Sequence, residues 1–406
     1  MKKKILVMFM AFIVCFNTFA YGGEKKDYKA AVLIDYKTGR ILYENKKDEI
    51  LPQASITKLM TYFVIRDFIE ENKIDMDEEI VLNCNLDKNE YIDGIGLKGN
   101  ETIKLKDLIY TLLIVSANDS AMALQHYYEM KTGLSFIDEM NKKAKEIGMN
   151  KTKYINATGL TEGNTYNVTT AYDTAILAET LIKKYPDVLN ITSQKTYKYN
   201  DTEYESTNGL LKINSNADGL KTGHTSAAGY CLVGTESIST NNVMPIRYIS
   251  VVLGCSTEKS RETESNNILK YGEEIYKNKM YYKKGTAFNI KNKYYKGGVL
   301  EGKVTNDLSI PMMESDKIET AVIQNKKLPR KIMKDEKIGK VVIKNAVDGN
   351  QIEEDLYAVK DYKSVPFFKR IFYHISDFIS SMMGKIAIND IKYKNYFAII
   401  HENILT

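Results

Sequence analysis

The 406-residue chain has no tryptophan, only four histidines and only four cysteines. Cys15, Cys84, Cys231 and Cys255 lack the paired spacing of metal ligands and no histidines cluster with them, so a zinc site is not expected. No basic block with interleaved aromatics occurs, and a net charge of +5 is mild over this length, which argues against nucleic acid but fits residence near an anionic membrane or wall. No apolar run reaches the roughly 20 residues needed to cross a bilayer. Gly94-Ile95-Gly96-Leu97-Lys98-Gly99 is glycine-rich, but no strand-loop-helix pattern surrounds it, so it reads as a loop rather than a phosphate cradle.

What is present begins with Lys2-Lys3-Lys4, the apolar run Ile5 to Phe16, and Asn17-Thr18-Phe19-Ala20. That order describes a secretory signal peptide over residues 1–22, cleaved near Ala20 to Gly23. A lipoprotein reading through Cys15 is poorer, because bulky Val14 stands where a small residue is expected. The mature chain is therefore expected outside the cytoplasm. If the turn between two later strands is centred near Val243, Cys231 and Cys255 face each other. They are then either a disulfide or two buried thiols.

Three polar clusters interrupt otherwise apolar, regular segments. Pro52-Gln53-Ala54-Ser55-Ile56-Thr57-Lys58 opens a helix after a hairpin turning at Lys37-Thr38-Gly39-Arg40. One helical turn separates Ser55 from Lys58, which puts a hydroxyl within reach of an amine. A serine attacks only when a neighbour takes its proton, and a lysine does so only when burial or a second cation keeps it neutral. The bland alternative is a helix start with an exposed lysine. Ser116-Ala117-Asn118-Asp119-Ser120 lies between two apolar helices and aims Ser116 and Asn118 outward together, unless Asp119 or Ser120 is merely a helix cap. Lys221-Thr222-Gly223-His224 enters a strand followed by two more, and a helix containing Ile268, Leu269 and Ile275 closes this domain near residue 278.

From residue 279 to 364 short alternating strands with glycine turns predict a separate β domain without a polar constellation. Residues 365–406 form a tail whose first part is an amphipathic helix. Phe367, Phe368, Ile371, Phe372, Ile375, Phe378, Ile379, Met382 and Met383 fall within an arc of roughly 160°, with charges on the other side. Such a helix lies in a membrane interface, unless it packs on its own domain.

Ser55-x-x-Lys58, Ser116-x-Asn118 and Lys221-Thr222-Gly223 together resemble the motif triplet of the penicillin-recognising serine acyl-transferases. In detail the chain is most similar to the low-molecular-weight penicillin-binding proteins that are serine-type D-alanyl-D-alanine carboxypeptidases. The resemblance implies an α+β transpeptidase-like domain over residues 23–278, an antiparallel sheet flanked by helices with a helical subdomain, followed by the β domain and a membrane-anchoring tail. It implies that Ser55 attacks the carbonyl between the last two D-alanines of a peptidoglycan stem peptide, with Lys58 as base, Ser116 as proton relay and Asn118 holding the substrate amide. Lys221 and Thr222 would face the terminal carboxylate, and the backbone N–H groups of Ser55 and His224 would form the oxyanion hole. Lys221 is also expected to depress the pKa of Lys58. Arg261 either adds positive potential for the carboxylate or is a surface arginine. The resemblance implies no metal or organic cofactor, β-lactams as inhibitors, and the outer face of the cytoplasmic membrane as anchoring partner.

The sequence departs from the family's wording in two places: residues 156–169 lack a histidine often found there, and Thr207-Asn208-Gly209 carries glycine where relatives often have a larger or basic residue. A β-lactamase shares the triplet but needs a second base. Glu162 lies in the relevant loop, yet Glu162-Gly163-Asn164-Thr165-Tyr166-Asn167 lacks the Glu-x-x-Leu-Asn arrangement. Endopeptidase action on cross-links would use the same triplet, and a non-catalytic wall-binding protein would keep the fold without needing Ser55 and Lys58.

Overall fold

A computed structural model describes residues 26–82, 93–239 and 243–381. The signal segment, Cys84, Met382, Met383 and the rest of the tail lie outside the described residues.

Strands β1 (Ala30–Asp35) and β2 (Ile41–Asn45) form the expected hairpin, closed by Asp35 Oδ2 accepting from the backbone N–H and the hydroxyl of Thr38. A 3-10 turn over Ala54–Thr57 leads into helix α1 (Lys58–Asn72). Helices α2 (Asn118–Thr132), α3 (Phe136–Glu146) and α4 (Ala171–Lys184) follow. Strands β3 (Ala217–Thr225), β4 (Gly229–Ile238) and β5 (Ile246–Cys255) and helix α5 (Glu258–Ile275) complete the first unit. The strands make one antiparallel sheet in the order β2-β1-β5-β4-β3, with Ala30 opposite Leu253 and Val233 opposite Lys221. β3 is an edge.

β1 is apolar from Ala30 to Ile34 because both of its faces are covered. Ala30, Val32 and Ile34 pack into the core shared with α1 and α4, and Ala31 and Leu33 pack with Ile268 and Leu269 of α5. Helix α1 is buried nearly all round, which is why its sequence is apolar beyond a single stripe.

The same parity decides the cysteines. Tyr230 lies opposite Cys255, so Cys231, the next residue, points to the other face of the sheet. Its thiol joins the helical core while that of Cys255 joins the α5 side, and both are free and buried. A disulfide across these strands is ruled out by this register.

A second unit begins at strand β6 (Lys277–Tyr282), directly after α5. It continues with β7 (Ala287–Lys291), β8 (Val299–Lys303), β9 (Leu308–Met312), β10 (Ile318–Gln324), β11 (Lys337–Asn345) and β12 (Gln351–Ala358). β6 pairs with β9, and the others form an antiparallel sheet in the order β7-β8-β12-β11-β10 around Leu300, Ile310, Ile338, Val341 and Leu356. Arg40, at the turn of the first hairpin, joins the units. Its guanidinium donates to Asp316 at 2.6 and 2.8 Å and to Asp348 at 3.1 Å, and both carboxylates are buried. Tyr276 and Asn345 also donate to Asp348, at 2.7 and 3.1 Å.

Residues 367–381 are helical, and their polar side meets the second unit: Asp377 with Lys293 and Tyr294, and His374 with Tyr294. The apolar side faces outward, leaving Phe368 82 % and Phe372 68 % exposed. Packing of the apolar face on its own domain does not hold over these residues. Among the described residues no helix is long and apolar enough to cross a membrane.

Candidate active site

The first polar cluster is built on a turn tighter than an α-helix. Ala54 takes the left-handed conformation at φ 49°, rare for a residue with a Cβ, and the following 3-10 turn presents Ser55 at the head of α1. Gly159 holds that turn from one side: a Cβ there would stand 2.0 Å from the Ala54 carbonyl oxygen. Gly223 of β3 holds it from the other, its virtual Cβ 3.0 Å from the backbone N of Ser55. At Gly159, left-handed at φ 84°, only glycine lets the loop close on the serine, and at Gly223 a side chain would sit tightly against the turn.

Lys58 is fully buried, and its Nζ lies 2.8 Å from Ser55 Oγ, 2.7 Å from Asn118 Oδ1 and 2.8 Å from the Thr158 carbonyl oxygen. Burial pushes its pKa down to about 7, against the opposing pull of Asp119 and Asp93. A neutral amine has two N–H donors and one lone pair. The amide oxygen of Asn118 and the Thr158 carbonyl can only accept, so they take the two donors, and the lone pair is left for the Ser55 hydroxyl. This is the geometry of a general base beside its nucleophile.

The third cluster lies on the edge strand facing that turn. Lys221 is 1 % exposed, donates to the Thr222 carbonyl oxygen at 2.9 Å, and has a pKa well below the ordinary lysine value. Burial is the largest cause, followed by repulsion from Lys58 and Arg261. Burial is the largest cause of the Lys58 depression, the two carboxylates act in the opposite direction, and the repulsion between Lys58 and Lys221 is expressed on Lys221. The Thr222 hydroxyl shares a 2.7 Å hydrogen bond with that of Thr207, whose backbone N–H donates to the Ile114 carbonyl at 3.1 Å. This ties the edge strand to the segment that ends at Ser116. Ser116 itself is left-handed at φ 69°, half-buried, and turns the chain so that Asn118 opens α2.

Arg261 is 3 % exposed, so the surface-arginine reading fails. It donates to Glu258 at 2.9 Å and to the Thr207 carbonyl at 3.4 Å, and its guanidinium lies over the Tyr230 ring. Tyr230 in turn stacks on the exposed His224 ring at 3.9 Å. Arg261 thus braces the site strand from behind. Glu162 is exposed and accepts from Asn156 at 2.8 Å, with no contact to Ser55 or Lys58 among the described residues.

Two contributions were not legible as functional. The Thr158 carbonyl belongs to a loop fixed by Asn167, which donates to Thr57 Oγ1 at 2.8 Å and to the Asn156 carbonyl at 3.0 Å. Asp119, read only as a possible cap, accepts the backbone N–H groups of Ile95, Gly96 and Leu97 on one oxygen at 2.9 to 3.0 Å. The glycine-rich loop is thereby wrapped around Asp119, and the Asp93 carbonyl accepts from the Asn118 N–H at 2.9 Å. The signal was glycine spacing, but its partner is a carboxylate of the chain itself.

Comparison with known proteins agrees with this arrangement. The peptidase S11 family, described as D-alanyl-D-alanine carboxypeptidase, matches residues 19–257. The chain is 31 % identical to D-alanyl-D-alanine carboxypeptidase DacF of Bacillus subtilis, over 82 % of this chain and 85 % of the relative. Penicillin-binding protein 5 from Haemophilus influenzae superposes with a TM-score of 0.60 at 29 % identity, over 84 % of this chain and 99 % of that one. Penicillin-binding protein D2 from Listeria monocytogenes, solved with cefotaxime bound, gives 0.55 at 33 % identity, over 62 % of this chain and 99 % of that one. By the family match over residues 19–257 and the identity to DacF, the chain belongs to the D-alanyl-D-alanine carboxypeptidase family of serine peptidases.

Proposed function

We propose that Ser55 is the nucleophile of this carboxypeptidase and is acylated in turn by D-Ala-D-Ala stem peptides and by β-lactams. The observation that carries the proposal is the buried Lys58 amine with two acceptor-only neighbours and the Ser55 hydroxyl as its third. Ser55 Oγ attacks the penultimate D-alanine carbonyl as its proton passes to Lys58 Nζ. The carbonyl oxygen takes negative charge between the backbone N–H groups of Ser55 and His224. The C–N bond then breaks, and the proton returns through Ser116 to the departing D-alanine amine while Asn118 holds the peptide amide. Water, deprotonated by Lys58, attacks the ester and restores Ser55.

Lys221 and Thr222 meet the substrate's terminal carboxylate. A buried lysine depressed by two cationic neighbours gains its proton when an anion arrives, so carboxylate binding and the charging of Lys221 are coupled. Residues 26–276 form the catalytic unit and the strands after it a spacer. The signal segment exports the chain, and the outward apolar face of residues 367–381 rests in the outer leaflet of the cytoplasmic membrane. The test is D-alanine release from a stem pentapeptide by wild type and Ser55→Ala: release by the first alone is expected, and release by both would overturn the assignment. An exposed Glu162 committed to Asn156 supports a slow deacylation, against a β-lactamase. Labelled penicillin is expected to stay bound for many minutes rather than turn over.

A further inference from the structure

The cationic residues of the second unit are not spread evenly. Segments 289–298, 325–334 and 359–371 contain twelve lysines and arginines against one acidic residue, Asp361. That excess is more than twice the net charge of the whole chain, +5, so the remainder is net acidic. The sequence hides it because the three segments are far apart.

The fold brings them to the end from which the terminal helix departs. Residues Lys331–Ile332 pair with Tyr362–Lys363, placing Lys331 directly opposite Lys363. The Ser364 N–H donates to the Arg330 carbonyl, the Lys296 N–H to the Lys363 carbonyl and the Val365 N–H to the Tyr294 carbonyl. Lys326, Lys327, Arg330, Lys331, Lys363 and Lys369 are all exposed, and none of these six forms an ion pair among the described residues. The acidic neighbours Asp335 and Asp377 are engaged by Lys303 and Lys293. Like charges facing across a strand pair are destabilising. An anionic surface would offset that repulsion.

We propose that this collar docks on anionic lipid headgroups and makes membrane attachment selective for them. The proposal rests on the reading of residues 367–381 as an interfacial helix. The occupant follows from continuity: the collar adjoins the outward face bearing Phe368, Phe372 and Phe378, and Lys369 and Arg370 lie on that helix. Whatever surface accepts those rings also meets the collar. A soluble polyanion offers the rings nothing, whereas a bilayer offers both an apolar layer and phosphate. An amphipathic helix alone binds by area; the collar adds about fivefold per cation on a charged surface.

The test is sedimentation of the full mature chain with phosphatidylcholine vesicles and with vesicles containing about a third phosphatidylglycerol. Wild type is expected to bind both and to prefer the anionic ones. Lys326→Gln/Lys327→Gln/Lys331→Gln is expected to lose on the order of a hundredfold in that preference, keeping binding to neutral vesicles and penicillin acylation. Phe368→Glu/Phe372→Glu is expected to lose neutral-vesicle binding. A lysine variant with undiminished preference overturns the collar and leaves the helix standing. A phenylalanine variant that still binds neutral vesicles overturns the helix reading instead. Wild type that ignores both vesicles but binds a soluble poly(glycerol phosphate) overturns the lipid assignment in favour of a wall polymer.

Discussion

Acylation should fall steeply as pH drops through neutrality, because the proposed base, Lys58, is held near a pKa of about 7 by burial. Only the neutral amine has a lone pair for the Ser55 proton. At pH 8 about nine tenths of Lys58 is neutral, at pH 6 about one tenth, and at pH 5 about one hundredth. The second-order rate constant for labelled penicillin should therefore drop about tenfold per unit below pH 7 and level off above pH 8. Asp119 favours the protonated amine, so Asp119→Asn should move this acid limb to lower pH. Stopped-flow or quenched acylation across pH 5 to 9 reads both. A rate that is flat over that range, or an Asp119→Asn limb displaced upward, would refute the assignment of Lys58 as a burial-tuned base.

Lys58→Met should abolish acylation yet fail to destabilise the fold. Burying the lysine below its ordinary pKa costs on the order of 4 kcal/mol near pH 7.5, a cost that shrinks as pH climbs from about 7 to about 10.5. Its three hydrogen bonds return about 1 kcal/mol each. Thermal unfolding at pH 7.5 should show a melting temperature equal to or above wild type, and a clear fall would contradict this. Gly159→Ala should prevent acylation, since its Cβ would stand 2.0 Å from the Ala54 carbonyl oxygen; normal labelling by penicillin would show that the turn yields. Arg40→Ala strands two buried carboxylates and should cost about 3–5 kcal/mol in denaturant unfolding while the acylation rate holds. Asp316 is held below its ordinary value because Arg40, the Met313 N–H and Asn345 together outweigh burial. That contribution is present at neutral pH and is lost in acid, so wild type and Arg40→Ala should converge in stability as pH falls.

The sequence carried whatever depends on local spacing. One helical turn sets Ser55 against Lys58, and Ser116-Ala117-Asn118 is short enough that a single left-handed residue fixes it. Non-local contributions left no such trace. The Thr158 carbonyl reaches Lys58 from a hundred residues away through backbone atoms, which any residue supplies. Asp119 and the glycine-rich loop are each intelligible only through the other. Arg261 could not be assigned because burial of a cation follows from Thr207 and Tyr230 packing over it. The cysteines turned on register: moving the pairing by one residue reverses a side chain's face, and a bulge between Tyr230 and Leu232 sits at that point.

The most direct test of a Ser55 nucleophile activated by buried Lys58 is peptide mapping of the mature enzyme after reaction with penicillin, by mass spectrometry. A single penicilloyl adduct on the peptide carrying Ser55, absent in Lys58→Met, is the expected result. An adduct on any other serine, or one that forms at an undiminished rate without Lys58, would contradict it.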